Sequence, residues 1–204
     1  MSLDLTTAAI AFASIFVIEL PDKTFVATLV MATRFRPLLV WVGVVLAFLV
    51  QTLVAVSLGG VLARLPRTPV EVFAGVMFLI GGFILLRGAR NASREEVEAE
   101  EEFGAKSDRV AKGWHVVTLC FGILFLAEWG DLSQILTASL VLKYHDAVSV
   151  FVGAFLALAA VSGLAAVLGR PLLTRIPLAL IRRVGGIVCL VLAALTGAQL
   201  AGLF

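Results

Sequence analysis

Residues Glu19–Thr24 read ELPDKT and residues Glu128–Ser133 read EWGDLS, and each hexapeptide sets a Glu and an Asp inside an otherwise apolar run long enough to cross a bilayer. A charged side chain at membrane depth costs roughly 2.5–3.5 kcal/mol on insertion scales. Four carboxylates in that setting need something that rewards them, and a bound cation is the natural candidate.

The rest of the chain fits a membrane setting. Of its 204 residues 61% are apolar, and the mean hydropathy is +1.07. Soluble domains average about 45–50% apolar, so the composition predicts an integral membrane protein whose first partner is the lipid bilayer. The net charge of +2 forms no basic, aromatic-interleaved stripe, which argues against nucleic acid as a partner. Cys120 and Cys189 lie in apolar segments without CxxC or Cys/His spacing, so they read as small buried hydrophobes and no bound cofactor is expected.

Roughly 20 apolar residues in a helix span the hydrocarbon core. Six segments qualify, at about 5–33, 38–63, 69–88, 114–141, 147–169 and 177–203. Runs this long and continuous predict helices rather than barrel strands. The one long polar stretch, 91–113, carries Glu95, Glu96, Glu98, Glu100, Glu101 and Glu102, then Lys106, Arg109 and Lys112. It lacks the spacing of an EF-hand loop and reads as a solvated acidic linker between a first unit, 1–90, and a second, 114–204.

The two units repeat. Shifted by 109 residues, Glu19, Asp22, Thr24 and Thr28 fall on Glu128, Asp131, Ser133 and Thr137; shifted by 110, Val42-Gly43 falls on Val152-Gly153. Three helices per repeat make the second enter from the opposite side, so the expected fold is all-α, six transmembrane helices as two inverted three-helix repeats, with a site near the midplane. Loop charge sets the orientation. The loops after the first, third and fifth segments hold twelve Lys and Arg, and the opposite side holds only Arg64, Arg67 and Lys143. This bias puts the acidic linker in the cytoplasm and both termini outside, in the cell inner (plasma) membrane. Homo-oligomerisation is left open.

On a helix, residues three or four apart share a face. Glu19, Asp22 and Lys23 are therefore expected together, as are Glu128 and Asp131, with Gln134 a further turn along. Thr24, Ser133 and Gln134 add neutral oxygens. Pro21 lacks an N–H and is expected to free the Val17 carbonyl, and Gly130 permits a similar bend in the second motif. The ligand set is all oxygen, and His115 and His145 sit near segment ends, so calcium, manganese or magnesium suit the site better than zinc or copper.

Charge suggests a mechanism. Four ionised carboxylates and Lys23 sum to −3, and a divalent cation leaves −1. Like charges gathered in a poorly hydrated cavity favour proton uptake. An empty site is then expected to take up protons and a metal to displace them, with Lys23 as the coupling residue.

The doubled motif resembles that of the GDT family of membrane calcium/manganese:proton antiporters, also called the type-two calcium:cation antiporter family, whose signature E-x-G-D-[KR]-[ST] occurs once in each half. The resemblance covers the whole chain. It implies export of manganese or calcium in exchange for protons, with Glu19, Asp22, Glu128 and Asp131 as ligands and Thr24 and Ser133 as helpers. Pro21 replaces the family glycine and Leu132 the family basic residue. A passive cation channel, or an exporter of another small solute, is the alternative reading. An intramembrane diaspartyl protease is disfavoured, because its G-x-G-D motif is missing and the two glutamates would have no task; the chain is not expected to be an enzyme.

Overall fold

The computed structural model describes residues 3–20, 22–62, 67–89, 97–98, 101–103, 105, 112–168 and 178–201. Regular structure among them is entirely helical. The long helices are α1 (Leu5–Glu19), α2 (Lys23–Arg34), α3 (Pro37–Leu62), α4 (Arg67–Gly88), α5 (Trp114–Ala127), α6 (Leu132–Tyr144), α7 (Ala147–Leu168) and α8 (Leu178–Leu200).

The two motif-bearing runs depart from the continuous helices that their hydropathy suggests. Each is a pair of half-helices bent at the motif, α1–α2 by 70° and α5–α6 by 72°. Sequence explains the second break, where Gly130 takes φ +82°, in the left-handed region that glycine tolerates. At both breaks an aspartate in extended conformation, Asp22 or Asp131, stands as the N-cap of the next half-helix. Pro21 lies outside the described residues.

Length and composition support fewer spans than the six expected. Among the described residues two helices are long and apolar enough to cross a bilayer, Pro37–Leu62 and Ala147–Val167; counting each bent pair as one span gives up to four. The apolar stretches in α4 and α8 are shorter, Phe78–Gly88 and Cys189–Ala198.

The packing crosses between the two motif-bearing pairs. Helix α1 lies on α7, α5 lies on α3, α3 also packs on α6 and α7, and α4 pairs with α8. Glycines allow the close approaches. A Cβ on Gly43 of α3 would stand 2.6 Å from the Val117 carbonyl oxygen and 2.9 Å from Cys120 Cβ of α5. On α7, a Cβ on Gly153 would collide with the Ala8 carbonyl and stand 2.9 Å from Ala11 Cβ of α1. Val117 and Cys120 are each 109 residues beyond Ala8 and Ala11, so matching glycines seat matching turns. The stacked rings follow the same offset: Phe12–Phe16 and Phe121–Phe125 both have centroids 5.5 Å apart.

The core between these helices is dense and apolar, with Ile15, Leu29, Met31, Val44, Leu124, Leu136 and Leu140 almost fully buried. Leu46, Leu53 and Leu58 of α3 and Leu156 of α7 are exposed, as suits surfaces turned to lipid chains. Within the acidic linker, Phe103 is buried against this core. At one end of the bundle the caps of α1 and α7 meet. The Asp4 backbone N–H donates to Ser149 Oγ at 2.8 Å, and the Ser149 hydroxyl donates to Asp146 Oδ2.

Candidate functional site

The two breaks are built alike. In the first, Glu19 ends α1 and its carbonyl accepts from the Asp22 N–H at 3.1 Å; in the second, the Glu128 carbonyl accepts from the Asp131 N–H at 3.3 Å. Each break therefore brings a Glu from the end of one half-helix to an Asp at the start of the next. Half-helix N-termini carry partial positive charge and C-terminal carbonyls partial negative charge. A pair of broken helices thus steadies acidic side chains and offers carbonyl oxygen to a cation at the same depth.

Three of the carboxylates converge. One oxygen each of Glu19, Asp22 and Asp131 lie within 4.8 Å of one another. Oxygens that grip one calcium at about 2.3–2.6 Å stand at most about 5 Å apart, so the three suit a shared hard cation. Glu19 is fully buried, whereas Asp22 and Asp131 are half-buried. Glu128 is buried next to them with its side chain against that of Asp131, although it is not one of the three whose oxygens converge.

The hydrogen bonds leave ligand capacity open. Glu19 Oε1 accepts from the Thr24 hydroxyl at 2.7 Å, and the Ser133 side chain from the other motif also faces this carboxylate. Asp131 Oδ2 accepts from the Ser133 N–H at 3.1 Å. Glu19 Oε2 and Glu128 Oε2 are buried without a hydrogen-bond partner, and so is the Thr28 hydroxyl. A buried polar atom left unpaired costs roughly 1–3 kcal/mol, more when charged. Two orphaned carboxylate oxygens beside a converging trio are what an oxygen-ligated cation site requires.

Two sequence expectations come out differently in detail. Lys23 opens α2 and is exposed; the helix break separates it from the buried face that carries Glu19. Gln134 has both ends of its amide engaged on the second break, its Nε2 donating to the Glu128 carbonyl at 2.9 Å and its Oε1 accepting from the Gly130 N–H at 3.2 Å. One residue escaped the sequence reading: Gln51, a buried amide of α3 whose Nε2 donates to the Phe125 carbonyl at 3.1 Å. A lone glutamine within the 26 residues of an apolar helix was the available signal.

Comparisons with known proteins agree with the doubled motif. The sequence profile described as divalent cation/proton antiporter GDT1 matches residues 7–93 and 116–201. A relative named GDT1-like protein sll0615, from Synechocystis sp. (strain ATCC 27184 / PCC 6803 / Kazusa), is 36% identical over 150 residues, covering 70% of this chain and 72% of its own. GDT1-like protein 3 of Oryza sativa subsp. indica is 30% identical over 190 residues, covering 86% of this chain and 68% of its own. No solved structure matches. The two matched blocks take in both acidic hexapeptides and leave most of the linker unmatched, and on that footing the chain belongs to the GDT1 family of divalent cation/proton antiporters, membrane transporters rather than enzymes.

Proposed function

We propose that this protein exports manganese or calcium from the cytoplasm in exchange for protons, through one site made by Glu19, Asp22, Asp131 and Glu128. The carrying observation is the meeting of Glu19 and Asp22 from one motif with Asp131 from the other, within 4.8 Å. Thr24 and Ser133 orient Glu19 and Asp131.

Carboxylates must be deprotonated to bind a metal, so cation affinity falls as protons are supplied. Protons arriving from outside displace the cation from the shared oxygens, and cation arriving from the cytoplasm displaces the protons. Because the same oxygens serve both, the site cannot hold a full load of each, and that exclusion is the coupling. An all-oxygen ligand set favours hard ions and leaves manganese and calcium as the candidates.

The setting is a plasma membrane protein of six transmembrane segments, two of them broken helix pairs, in two inverted repeats, 1–90 and 114–204, with the acidic linker in the cytoplasm and both termini outside. The matching Gly43 and Gly153 contacts support the repeat, and the twelve-to-three loop charge bias supports the orientation. Lys23, exposed at the head of α2 and next to Asp22 in sequence, tunes the proton dependence through its charge in this reading. Alternating access then comes from one repeat moving against the other about this shared site.

The test is purified protein in liposomes loaded with a pH dye. Manganese or calcium added outside should raise internal pH as protons leave, and an imposed proton gradient should drive the cation uphill. Cation entry that leaves internal pH unchanged would overturn the exchange in favour of a passive channel.

A further inference from the structure

The two breaks share a plan but are held by different means. In the first, backbone closes the last turn: the Leu20 N–H donates to the Phe16 carbonyl at 3.1 Å, and α1 runs through Glu19. Phe125 is the residue that matches Phe16 at the offset of 109, and a helix of the same length would give its carbonyl the Trp129 N–H. Helix α5 instead stops at Ala127, and its last turn closes from the Glu128 N–H to the Leu124 carbonyl at 3.0 Å. The Phe125 carbonyl is taken by the side chain of Gln51, reaching across from α3.

The consequence falls on Glu128. Glu19 is a helical residue, whereas Glu128 is the cap beyond its helix, at φ −102° and ψ 9°. It is also the motif carboxylate outside the converging trio. Gln134 braces the same break from the other end, through Glu128 and Gly130. The first break has neither device at the matching positions: Val161 stands where Gln51 would be and Phe25 where Gln134 would be, and both are buried. Gln51 lines a small cavity of about one water's size with Thr52, Ser133, Gln134 and Thr137, so nothing bulky wedges between α3 and the motif.

We propose that Gln51 is a positioning residue that stops α5 one residue short and thereby sets how Glu128 and the chain after it meet Glu19, Asp22 and Asp131. It acts as a surrogate backbone donor: its amide N–H satisfies the carbonyl that a longer helix would satisfy from within. Without it the Phe125 carbonyl recovers a partner by winding one more residue, which takes Glu128 into the helix and re-aims the chain from Trp129 onward. The first break has no such stop, so the two halves of the site are unequal despite their common origin. This inference rests on the proposed exchange for its transport readout and stands on its own for its conformational one.

The experiment compares Gln51→Leu, Gln51→Glu and the packing control Val161→Ala. In a chain with Trp41 and Trp114 replaced by Phe, Trp129 reports on the break. Gln51→Leu is expected to shift Trp129 emission and to raise the apparent KM for manganese about tenfold, with maximal rate changed less than twofold. Gln51→Glu keeps an oxygen but loses the donor, so it should behave like the Leu variant. Val161→Ala should lower thermal stability without moving KM. Unchanged emission and KM in Gln51→Leu would overturn the proposal, and so would a Gln51→Glu variant that binds manganese more tightly than the parent, which would make Gln51 a direct ligand. If the parent exchanges no cation while the emission still shifts, the positioning stands and the exchange reading falls.

Discussion

The Thr24 hydroxyl reaches back across the first break to Glu19, donating to Oε1 at 2.7 Å and leaving Oε2 as the open oxygen of that carboxylate. The bond joins the first turn of α2 to the last residue of α1. It fixes which oxygen is spent on the protein and which remains for a ligand. A hydrogen bond to a charged group is worth about 1.5–3 kcal/mol, and about 1.4 kcal/mol is tenfold in affinity. Thr24→Val keeps the shape and removes the donor, so it should weaken manganese binding about tenfold or more, whereas Thr24→Ser should stay near the parent. Titration of purified protein with manganese measures both, and equal affinity in Thr24→Val would remove the orienting role.

The four motif carboxylates should be indispensable one at a time. Glu19→Gln, Asp22→Asn, Glu128→Gln and Asp131→Asn each delete an anionic oxygen with little change of shape, and each should reduce exchange to near background. Asp131 has a second duty, since its Oδ2 caps α6 through the Ser133 N–H. Asparagine also caps well, whereas loss of a cap costs about 1 kcal/mol. Asp131→Asn should therefore lose transport at parental thermal stability, and Asp131→Ala should lose both. Wild-type rates in two or more of the four amide variants would refute a shared site.

The close helix approaches give a stability test remote from the carboxylates. Gly43→Ala forces a methyl to 2.6 Å from the Val117 carbonyl oxygen, and the facing atoms are backbone that cannot swing away. Overpacking of this kind costs about 1–3 kcal/mol. Gly60 and Gly122 have open space where a Cβ would go, and alanine is the better helix former by about 1 kcal/mol. Thermal unfolding in detergent should show Gly43→Ala and Gly153→Ala well below the parent, with Gly60→Ala and Gly122→Ala at or above it. A neutral Gly43→Ala would mean that α3 and α5 are not packed this closely.

Much of this was legible beforehand because the cost of burying charge is visible in a string of letters. Glu19, Asp22, Glu128 and Asp131 stand out against apolar neighbours, and the offset of 109 links them before any coordinate is known. The size of the bends was not legible. Hydropathy averages over a window, so ELPDKT and EWGDLS read as interruptions within helices, whereas the chain turns by 70° and 72° there. Periodicity then misled in a specific way: it put Lys23 on the face of Glu19, although the break places it at the head of a new helix. Gln51 was missed for the opposite reason. Its partner is the carbonyl of Phe125, 74 residues away, and no local pattern encodes a contact between a side chain and a distant backbone.

The capped ends of α1 and α7 meet through Asp4, Asp146 and Ser149, and this contact should be acid-sensitive. Hydrogen bonds from the Thr7 side chain and the Thr6 backbone hold Asp4 below the usual aspartate value, and bonds from the Ser149 side chain and backbone do the same for Asp146. A carboxylate with a depressed folded-state pKa contributes stability above the unfolded value, and that contribution disappears as pH falls through the folded value. The ordinary aspartate value is about 3.9, so the loss should begin near there and deepen toward lower pH. Ser149→Ala removes the chief cause of the shift on Asp146 and the acceptor for the Asp4 N–H. Thermal midpoints measured from pH 7 to pH 3 should place Ser149→Ala below the parent at neutral pH, with the gap narrowing as acid removes the same contribution from the parent. Two curves that run parallel across the whole range would show that Ser149 contributes packing alone and that no protonation is linked to this end of the bundle.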